Sequence, residues 1–371
     1  MNVSGRKFKN IAVSSISGIG NSIFAVPMLR LLRKNFPEAK ITLFVRFKPA
    51  RALLDECPYV DEIMVIDYST VKSFKSKVRL ICELRRRKFD LLITAFPSEK
   101  REKNLFAFLI GAGVRISHKY VNSKFSDLGF LQSVRIPVDI SIHDLEQNLR
   151  LLEIIGIDTT NADRKLQIWT SEDDQTFAAN YIEKLLGEGR RKDKILVGFH
   201  AGSSEEFGMT YKRWGARNFA RLGNLITEKY DAKILLFGGP EEKGLKMAIA
   251  ERMKVTPVIV EKTSMPKDAA IMDYLDLFVS NDSGNMNLAL AVGIFTIGLF
   301  GPVDSVRADL KNEQHVVINS PAHCSPCWGL ANITEPLICS LPEVICMKQI
   351  ALETVFDAAD KYLSKLIETE N

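Results

Sequence analysis

The sequence predicts an α/β protein with two doubly wound parallel sheets, and three observations lead to that fold class. Short apolar runs alternate with amphipathic segments along most of the chain, as expected for strands joined by crossover helices. The alternation occurs in two series, and a polar, turn-rich stretch at Asp158–Lys165 separates them. The length of 371 residues also suits two domains, because a typical domain has about 150 residues.

The first series alternates strand-like and helix-like segments from the first apolar run onward. It predicts strands at Lys9–Ser14, Ala39–Arg46, Glu62–Asp67 and Leu91–Ala95. The helices predicted between and after them are Ser22–Asn35, Arg51–Cys57, Val71–Arg87, Asn104–Gly111 and an amphipathic segment at His143–Ile155. Because each helix returns the chain to the same end of the sheet, the strands are expected to be parallel.

The second series begins at a strand-like run, Lys194–His200, and has the same rhythm. The alternation continues through Asn218–Lys229, Lys233–Gly238, Glu241–Met253, Pro257–Glu261, Ala269–Tyr274, Leu277–Ser280, Met286–Val292 and Thr296–Phe300. The two halves share no evident sequence identity, so the repeat is one of fold type. An amphipathic segment, Met347–Ile367, ends the chain.

These patterns predict a domain over residues 1–165, a second over 166–346, and a C-terminal helix over 347–371 that packs back across both. In doubly wound sheets ligands bind outside the carboxyl ends of the strands. We therefore expect the two domains to face a central cleft, with one substrate held by each.

The composition is that of a globular protein, with 46% hydrophobic and 26% charged residues. The longest nearly uncharged apolar stretch, Val292–Val303, contains glycines and a proline. It is shorter than the roughly 18–20 residues of a membrane span. Residues Met1–Asn10 are polar and basic and lead directly into the first strand, so we expect no secretory signal and a cytoplasmic protein.

Positive charge is concentrated in one part of the chain. The net charge of +5 is too small to indicate a nucleic-acid partner, but Val71–Arg115 holds twelve Lys or Arg against four Asp or Glu. The run Arg85–Lys88 is explained either by the solvated carboxyl end of a helix or by a surface for an anionic partner such as phosphorylated lipid headgroups.

The first motif is Ser17-Gly18-Ile19-Gly20-Asn21-Ser22, placed between a strand and a helix. Its glycines allow a tight turn, and the free N–H groups of a helix start favour an anion or polar ligand. The third glycine of the dinucleotide fingerprint is missing, and Arg46 stands where an acidic residue is needed to bind ribose. A nicotinamide cofactor is therefore disfavoured, and a purely structural turn remains the alternative.

Three further motifs follow strands of the second half. His200-Ala201-Gly202-Ser203-Ser204 suits phosphate binding, and Lys212 nearby can neutralise a leaving diphosphate. Asn281-Asp282-Ser283-Gly284 opens a helix, where Asp282 and Ser283 either cap that helix or help to hold a phosphate and a sugar. Phe237-Gly238-Gly239-Pro240-Glu241-Glu242 opens a helix, where the carboxylate of Glu241 is favourable in itself.

In the first half, the charged run Ser98–Asn104 follows the strand Leu91–Ala95 at the carboxyl edge of the sheet. Its cations, Lys100 and Arg101 among them, can bind the phosphates or carboxylates of a ligand. The alternative is that the run is only a solvated loop.

In this order and on these elements, the motifs resemble glycosyltransferase family nine, the heptosyltransferases of lipopolysaccharide core synthesis. The resemblance covers the whole chain and rests on the series of motifs. It also includes Val26-Pro27-Met28-Leu29, Pro58-Tyr59-Val60-Asp61-Glu62, Lys212 before Trp214, Phe300-Gly301-Pro302 and the cysteine-containing tail that ends in Cys346-Met347.

The resemblance implies a GT-B fold, with a nucleotide-sugar donor on the C-terminal domain and an acceptor on the N-terminal domain. It implies inverting, metal-independent transfer of heptose from ADP-heptose to an anionic, lipid-linked core oligosaccharide, with no cofactor needed for catalysis. We expect peripheral contact with the inner face of the inner membrane through the basic N-terminal domain. Nucleic acid is not expected as a partner.

The same resemblance assigns roles to individual residues. The implied donor-binding residues are Ser203, Ser204, Lys212, Glu241, Asp282, Ser283 and Gly284. The implied acceptor-binding residues are Gly18, Gly20, Asn21, Lys100 and Arg101. The catalytic positions are Asn21, Lys212 and Asp282.

Two departures from the family pattern concern catalysis. The family usually has aspartate, the favoured base, where this chain has Asn21, and an amide is no base at neutral pH. Asn285 and Asn287 stand where proline and histidine are usual. Either another group, such as Glu99 or His118, serves as base, or the protein binds a nucleotide sugar without efficient transfer. A family-nine transferase with another nucleotide sugar or a protein acceptor is a further alternative.

Four cysteines near the end of the chain form a separate pattern. They are Cys324, Cys327, Cys339 and Cys346. Four thiolates with one Cys-x-x-Cys pair can hold zinc or iron, and the autotransporter heptosyltransferases, which are similar, bind iron through four cysteines. The alternative is that these residues are small buried hydrophobic side chains.

Overall fold

The computed structural model describes residues 3–67, 73–97, 101–187, 194–310, 312–329 and 336–370. The chain divides into two compact α/β units. Unit 1 contains the described residues up to Trp169, and unit 2 those from Thr170 onward.

Unit 1 is a six-stranded parallel sheet with helices on both faces. Its strands are β1 (Asn10–Ser15), β2 (Lys40–Val45), β3 (Glu62–Val65), β4 (Leu91–Thr94), β5 (Val114–Lys119) and β6 (Val134–Pro137), in the order β3-β2-β1-β4-β5-β6. Its helices are α1 (Ile19–Phe24), α2 (Val26–Asn35), α3 (Lys48–Ala52), α4 (Phe74–Arg86), α5 (Arg101–Leu109) and α6 (Asp144–Glu153).

The central strands of unit 1 form because their residues are apolar on both sides of the sheet. β4 is buried along its whole length, and β1 and β2 are buried except for their first residues, as expected for parallel strands covered by helices on both faces. The single helix predicted over Ser22–Asn35 is instead two helices that meet at Ala25. Pro27 lies in the first turn of α2, where its missing N–H has no partner to lose.

Unit 2 has the same architecture. Its strands are β7 (Leu196–His200), β8 (Lys233–Leu236), β9 (Val258–Ile259), β10 (Leu277–Asn281), β11 (Thr296–Phe300) and β12 (His315–Asn319), in the order β12-β11-β10-β7-β8-β9. Its helices are α7 (Glu172–Leu186), α8 (Ala216–Tyr230), α9 (Lys243–Ala250), α10 (Met265–Met272), α11 (Gly284–Val292), α12 (Ile345–Gln349) and α13 (Leu352–Glu370).

The last helix packs into the core of unit 2. Val355, Ala359 and Leu363 are fully buried, and their spacing of four places them on one face of α13. The ring of Tyr362 stacks on Phe295 with centroids 3.7 Å apart. None of the described helices is long and apolar enough to cross a membrane.

The sheet topology fixes where ligands can bind in each unit. In unit 1 the connections diverge between β1 and β4, and in unit 2 between β7 and β10. A doubly wound sheet opens a crevice at such a switch point, outside the carboxyl ends of the two strands. In unit 2 the strand register pairs His200 with Ser280, so the loops that follow these residues start side by side.

Candidate functional site

A mostly buried ion pair between Lys212 and Asp282 lies at the switch point of unit 2. Lys212 ends a 3-10 helix, Glu206–Lys212, and Asp282 follows β10. The Lys212 Nζ lies 2.9 Å from Asp282 Oδ2, and the two side chains are only 12% and 17% exposed. The structure therefore brings together two of the predicted site residues, which are 70 positions apart in the sequence.

The amino end of α11 lies directly beside this ion pair. Ser283 is the N-cap residue, and its Oγ accepts a hydrogen bond from Met286 N at 3.3 Å. Gly284 is the first residue of the helix. A helix start carries free N–H groups and partial positive charge, which suit a phosphate. Of the two alternatives left open for this pair, capping is confirmed for Ser283, whereas Asp282 pairs with Lys212. Donor binding by both residues stays a prediction.

Asn281 fixes the two loops against each other. Its side chain is fully buried. The Nδ2 donates to Ala201 O at 2.7 Å, and the Oδ1 accepts from Trp214 N at 3.1 Å. One amide thereby holds the chain after β7 and the chain after Lys212 at the end of β10.

A buried His200–Glu242 pair, which the sequence interpretation did not identify, supports the same loops. His200 Nε2 lies 3.0 Å from Glu242 Oε2, and His200 Nδ1 lies 2.9 Å from Ser283 Oγ. Burial raises the pKa of Glu242, but the interaction with His200, the N–H of Gly239 and the charge of Arg213 together lower it more. The pKa of Glu242 therefore lies below its usual value, and the carboxylate is ionised at neutral pH.

Two glycines make room for that carboxylate. A Cβ at Gly202 would lie 1.5 Å from Glu242 Oε1, and one at Gly238 would lie 2.4 Å from Oε2. Gly238 also has a φ of +135°, a backbone conformation that glycine adopts most easily. Glu241, the predicted residue, is exposed and the next residue is buried. The signal for Glu242 is its position at N3 of the 3-10 helix Pro240–Glu242, three residues after Gly239.

The two predicted serines after β7 differ in their surroundings. Ser203 is buried; its Oγ donates to Met209 O at 2.9 Å and accepts from Arg213 Nε at 3.1 Å. Ser204 is exposed, and its Oγ accepts from Glu206 N at 3.2 Å. Phosphate binding by these serines remains a prediction.

In unit 1 the predicted acceptor residues follow β1 and β4. Gly18 is the N-cap of α1, and Gly20 and Asn21 lie in its first turn. Asn148 of α6 joins this region to the end of β4, because its Oδ1 accepts from Phe96 N at 2.8 Å and its Nδ2 donates to Phe24 O at 3.2 Å. Arg101 is the exposed first residue of α5. Lys100 and Glu99 lie outside the described residues.

His118 is not available as a catalytic base, and that prediction is wrong. The residue is 2% exposed within β5, where its Nε2 bonds Gln147 O at 3.1 Å and its ring contacts Phe96. Burial lowers the pKa of His118 to about 3. An imidazole in this position neither reaches a substrate nor holds a proton at neutral pH.

The low pKa of His118 should make the stability of unit 1 depend on pH. Below pH 6.5 the unfolded chain binds a proton at this position and the folded chain does not, so stability falls as pH falls toward 3. As the pH falls below 6.5, the free energy of unfolding should decrease less in the His118→Gln variant than in the native chain. The difference should be about 1.4 kcal/mol for each pH unit. Denaturant unfolding at pH 7 and pH 5 measures the difference.

The matched control is exposed His323. His323→Gln should leave the pH dependence of the native chain unchanged. An equal slope in H118Q and the native chain would contradict the assignment of the buried, neutral ring.

The cysteines as placed do not fit the predicted zinc or iron. Among the described residues, which include all four thiols, no group of three or more His, Cys, Asp and Glu side chains is positioned to hold a metal ion. Cys346 lies in the apolar core of unit 2, and burial raises the pKa of its thiol. Cys339 Sγ donates to Glu343 O, and Cys324 packs against the core. The alternative of small buried side chains therefore describes Cys346.

The chain is similar to known proteins over most of its length. Residues 77–338 match the model of glycosyltransferase family 9 (heptosyltransferase). The lipopolysaccharide core heptosyltransferase OpsX of Haemophilus influenzae is 24% identical over 365 residues, which are 95% of this chain and 96% of that protein.

Solved structures with the same fold cover nearly the whole chain. A family 9 glycosyl transferase from Veillonella parvula has a TM-score of 0.79 and 22% identity, over 96% of this chain and 98% of that one. The Escherichia coli heptosyltransferase WaaC, solved with ADP-2-deoxy-2-fluoro heptose, has a TM-score of 0.66 and 15% identity, over 95% and 99%. With the two parallel sheets, these likenesses confirm the predicted two-domain α/β GT-B fold.

Proposed function

The chain belongs to glycosyltransferase family 9, and from that premise we propose that it transfers a heptose from ADP-heptose to an anionic acceptor in the lipopolysaccharide inner core. The observation that carries the proposal is the Lys212–Asp282 ion pair beside the amino end of α11. A cation and free helix N–H groups together suit a diphosphate whose negative charge grows as the sugar leaves.

In this proposal unit 2 holds the donor. The diphosphate lies at Gly284 and Lys212, while Asp282 accepts a hydrogen bond from a sugar hydroxyl. Glu241 lies on the nucleoside side, and Ser203 and Ser204 contribute to phosphate binding. The N–H groups and the ammonium supply the positive charge that a metal ion supplies in other transferases, so the reaction needs no metal.

Unit 1 holds the acceptor in the same proposal. The turn Gly18–Asn21 and the cations Lys100 and Arg101 bind the sugar and its anionic groups. The acceptor is anchored in lipid, so the protein works at the cytoplasmic face of the inner membrane as a peripheral protein. No nucleic acid takes part.

The transfer is a single displacement that inverts the anomeric carbon. The acceptor oxygen bonds to that carbon as the bond from the carbon to the β-phosphate oxygen breaks. The electron pair leaves with ADP, whose new charge Lys212 and the α11 amides stabilise. The hydroxyl proton passes to a base; with His118 buried, Glu99 is the other predicted group for that role.

A nucleotide-sugar-binding protein without efficient catalysis is the second candidate. It is favoured by Asn21, which lies in the first turn of α1 at the carboxyl end of β1. Its amide cannot accept the proton that transfer releases.

The first measurement is ADP release from ADP-heptose, with and without a deacylated Kdo-lipid A acceptor. We expect release that depends on the acceptor. Donor binding without such release would favour either another acceptor, a protein included, or the binding protein. An absence of donor binding would reject ADP-heptose and leave other nucleotide sugars to be tested.

The variant Asn21→Asp separates the two candidates further. If Asn21 occupies the position of a lost base, the aspartate should raise acceptor-dependent ADP release by about a hundredfold, the lower range for general base catalysis. An unchanged rate in an active enzyme would mean that the base is elsewhere. Asn35→Asp, at the end of α2, is the control for the added charge and should have no effect.

A further inference from the structure

Exposed apolar side chains are concentrated in one stretch of unit 1. Within the described residues, thirteen large hydrophobic side chains are exposed, and seven of them lie between residues 74 and 130. Scattered exposed apolar residues are normal, whereas a concentration of them marks an interaction surface. This stretch is therefore a candidate interaction surface.

Four of these side chains form what we call the aromatic patch: Leu105, Phe108, Phe125 and Phe130. Leu105 and Phe108 lie three residues apart on α5 and are 38% and 45% exposed. Phe125 and Phe130, in two 3-10 turns that pack on α5, are 82% and 56% exposed. Their rings stack with centroids 4.9 Å apart.

Hydrogen bonds fix the backbone that carries the patch. Asn104 Nδ2 donates to Asp127 O at 2.8 Å and fixes the turns to α5. Arg115 Nε donates to Leu131 O at 2.9 Å, and its guanidinium lies 5.7 Å from the ring centroid of Phe108. The rings are thus held outward by the fold.

The surroundings of the patch are cationic. Arg115, Lys124 and Arg135 form what we call the cationic rim: Arg115 lies over the ring of Phe108, and the guanidinium of Arg135 lies against Gly129 of the second turn. The Asp127 carboxylate accepts from Lys124 N at 2.6 Å. Lys124 itself is exposed beside Phe125. Aromatic rings rimmed by cations suit the boundary between the headgroups and acyl chains of an anionic bilayer.

We propose that the aromatic patch docks unit 1 onto an anionic phospholipid surface, with Phe125 and Phe130 inserted below the headgroups. The inference rests on the proposed function in one respect: a lipid-linked acceptor gives the contact its purpose. Helix α5 begins at the predicted acceptor residue Arg101 and carries Phe108 two turns later, so docking brings the acceptor-binding end of α5 close to the headgroups.

A bilayer fits the patch better than a second copy of the chain. In a symmetric dimer the same patch faces itself, so the cationic rims would oppose each other. An anionic lipid surface attracts the cationic rim, and the rings insert below its headgroups.

The test is cosedimentation of the full chain with vesicles of phosphatidylethanolamine and phosphatidylglycerol. The variant F125S/F130S should bind about tenfold or more weakly, since burial of one aromatic ring changes affinity by about that factor. The matched control is Met247→Ser/Val255→Ser in unit 2, at 42% and 56% exposure, which should bind like the native chain. Thermal unfolding checks that both variants are folded.

The charge of the rim is tested separately. Lys124→Glu should weaken binding to these vesicles and reduce its salt dependence, whereas Lys361→Glu on α13 should change neither. Equal binding to phosphatidylcholine vesicles would overturn the role of the rim.

Two outcomes would overturn docking through the patch itself. One is vesicle binding by F125S/F130S that equals that of the native chain. The other is a concentration-dependent dimer of the native chain that F125S/F130S abolishes without any change in vesicle binding. Transfer to the soluble, deacylated acceptor is measured in parallel. If transfer fails while vesicle binding depends on the patch, the proposed function fails and this inference stands.

Discussion

Replacing Lys212 by alanine is expected to lower kcat for ADP release by about a hundredfold to a thousandfold, the usual effect of removing one group that stabilises a developing negative charge. The ammonium meets more charge in the transition state than in the bound donor, because the bond to the sugar breaks toward the diphosphate. Donor affinity should therefore fall much less than kcat. Single-turnover ADP release and equilibrium donor binding measure the two quantities separately.

Replacing Asp282, the partner of Lys212, should give a result that differs from that of K212A. Asp282→Ala should also lower acceptor-dependent release, but it should weaken donor binding as well, because Asp282 is proposed to hold a sugar hydroxyl in the ground state. A variant that loses kcat with little loss of donor affinity indicates a leaving-group role, and one that loses donor affinity as well indicates a sugar-binding role.

The control is an ion pair of the same unit that lies away from the switch point. Lys229 pairs with Asp360 between α8 and α13, and Lys229→Ala should leave kcat unchanged. If K212A instead keeps the native kcat and loses only donor affinity, Lys212 is a binding residue and the proposed charge stabilisation is wrong.

The fold could be predicted because most strands of a parallel sheet are short apolar runs. β1, β2, β4, β7, β10 and β11 all lie on predicted segments. β5 was not predicted, since Arg115, His118 and Lys119 interrupt its apolar pattern. Helix α7 was missed although Ser171 and Asp174 form a capping box at its start. Charged residues thus masked the strand pattern of β5, and the capping signal of α7 was not used.

The candidate site could be predicted as a set of strand ends but not as a set of contacts. Lys212, Asp282 and Ser283 could be singled out because their motifs follow predicted strands and match the family pattern, and the topology brings the residues after β7 and β10 together. Glu242 and His200 pair across 42 positions. The N3 position marks Glu242 rather than Glu241, but no local pattern shows which residue its carboxylate meets. His118 lies within β5, which the sequence did not predict, and only its burial shows that it faces the protein interior.

The substitution Gly202→Ala is expected to damage unit 2 severely although it adds one methyl group. Its Cβ would lie 1.5 Å from Glu242 Oε1 and 2.2 Å from Cδ. Both carboxylate and loop are enclosed: Glu242 is 6% exposed, and the carbonyl oxygen of Gly202 accepts from Asn281 Nδ2 at 3.3 Å. The carboxylate must therefore leave His200 or the loop after β7 must move.

Either response separates the buried Glu242 carboxylate from the His200 imidazole, and a buried charge left without its partner costs about 3–5 kcal/mol. In a domain of this size such a loss lowers Tm by about 10 °C. Donor affinity should fall with it, because His200 also contacts Ser283 at the start of α11. Thermal unfolding and donor binding are measured on the same preparation.

Gly244→Ala is the matched control. Gly244 lies in α9, two residues after Glu242, and a Cβ there meets nothing within 4 Å. Alanine in an exposed helix position is better than glycine by about 0.5–1 kcal/mol, so this variant should be as stable as the native chain or slightly more so, with unchanged donor binding. A Gly202→Ala variant that matched Gly244→Ala in both measurements would show that Glu242 yields without cost, and that the His200–Glu242 pair does not hold the donor loops in place.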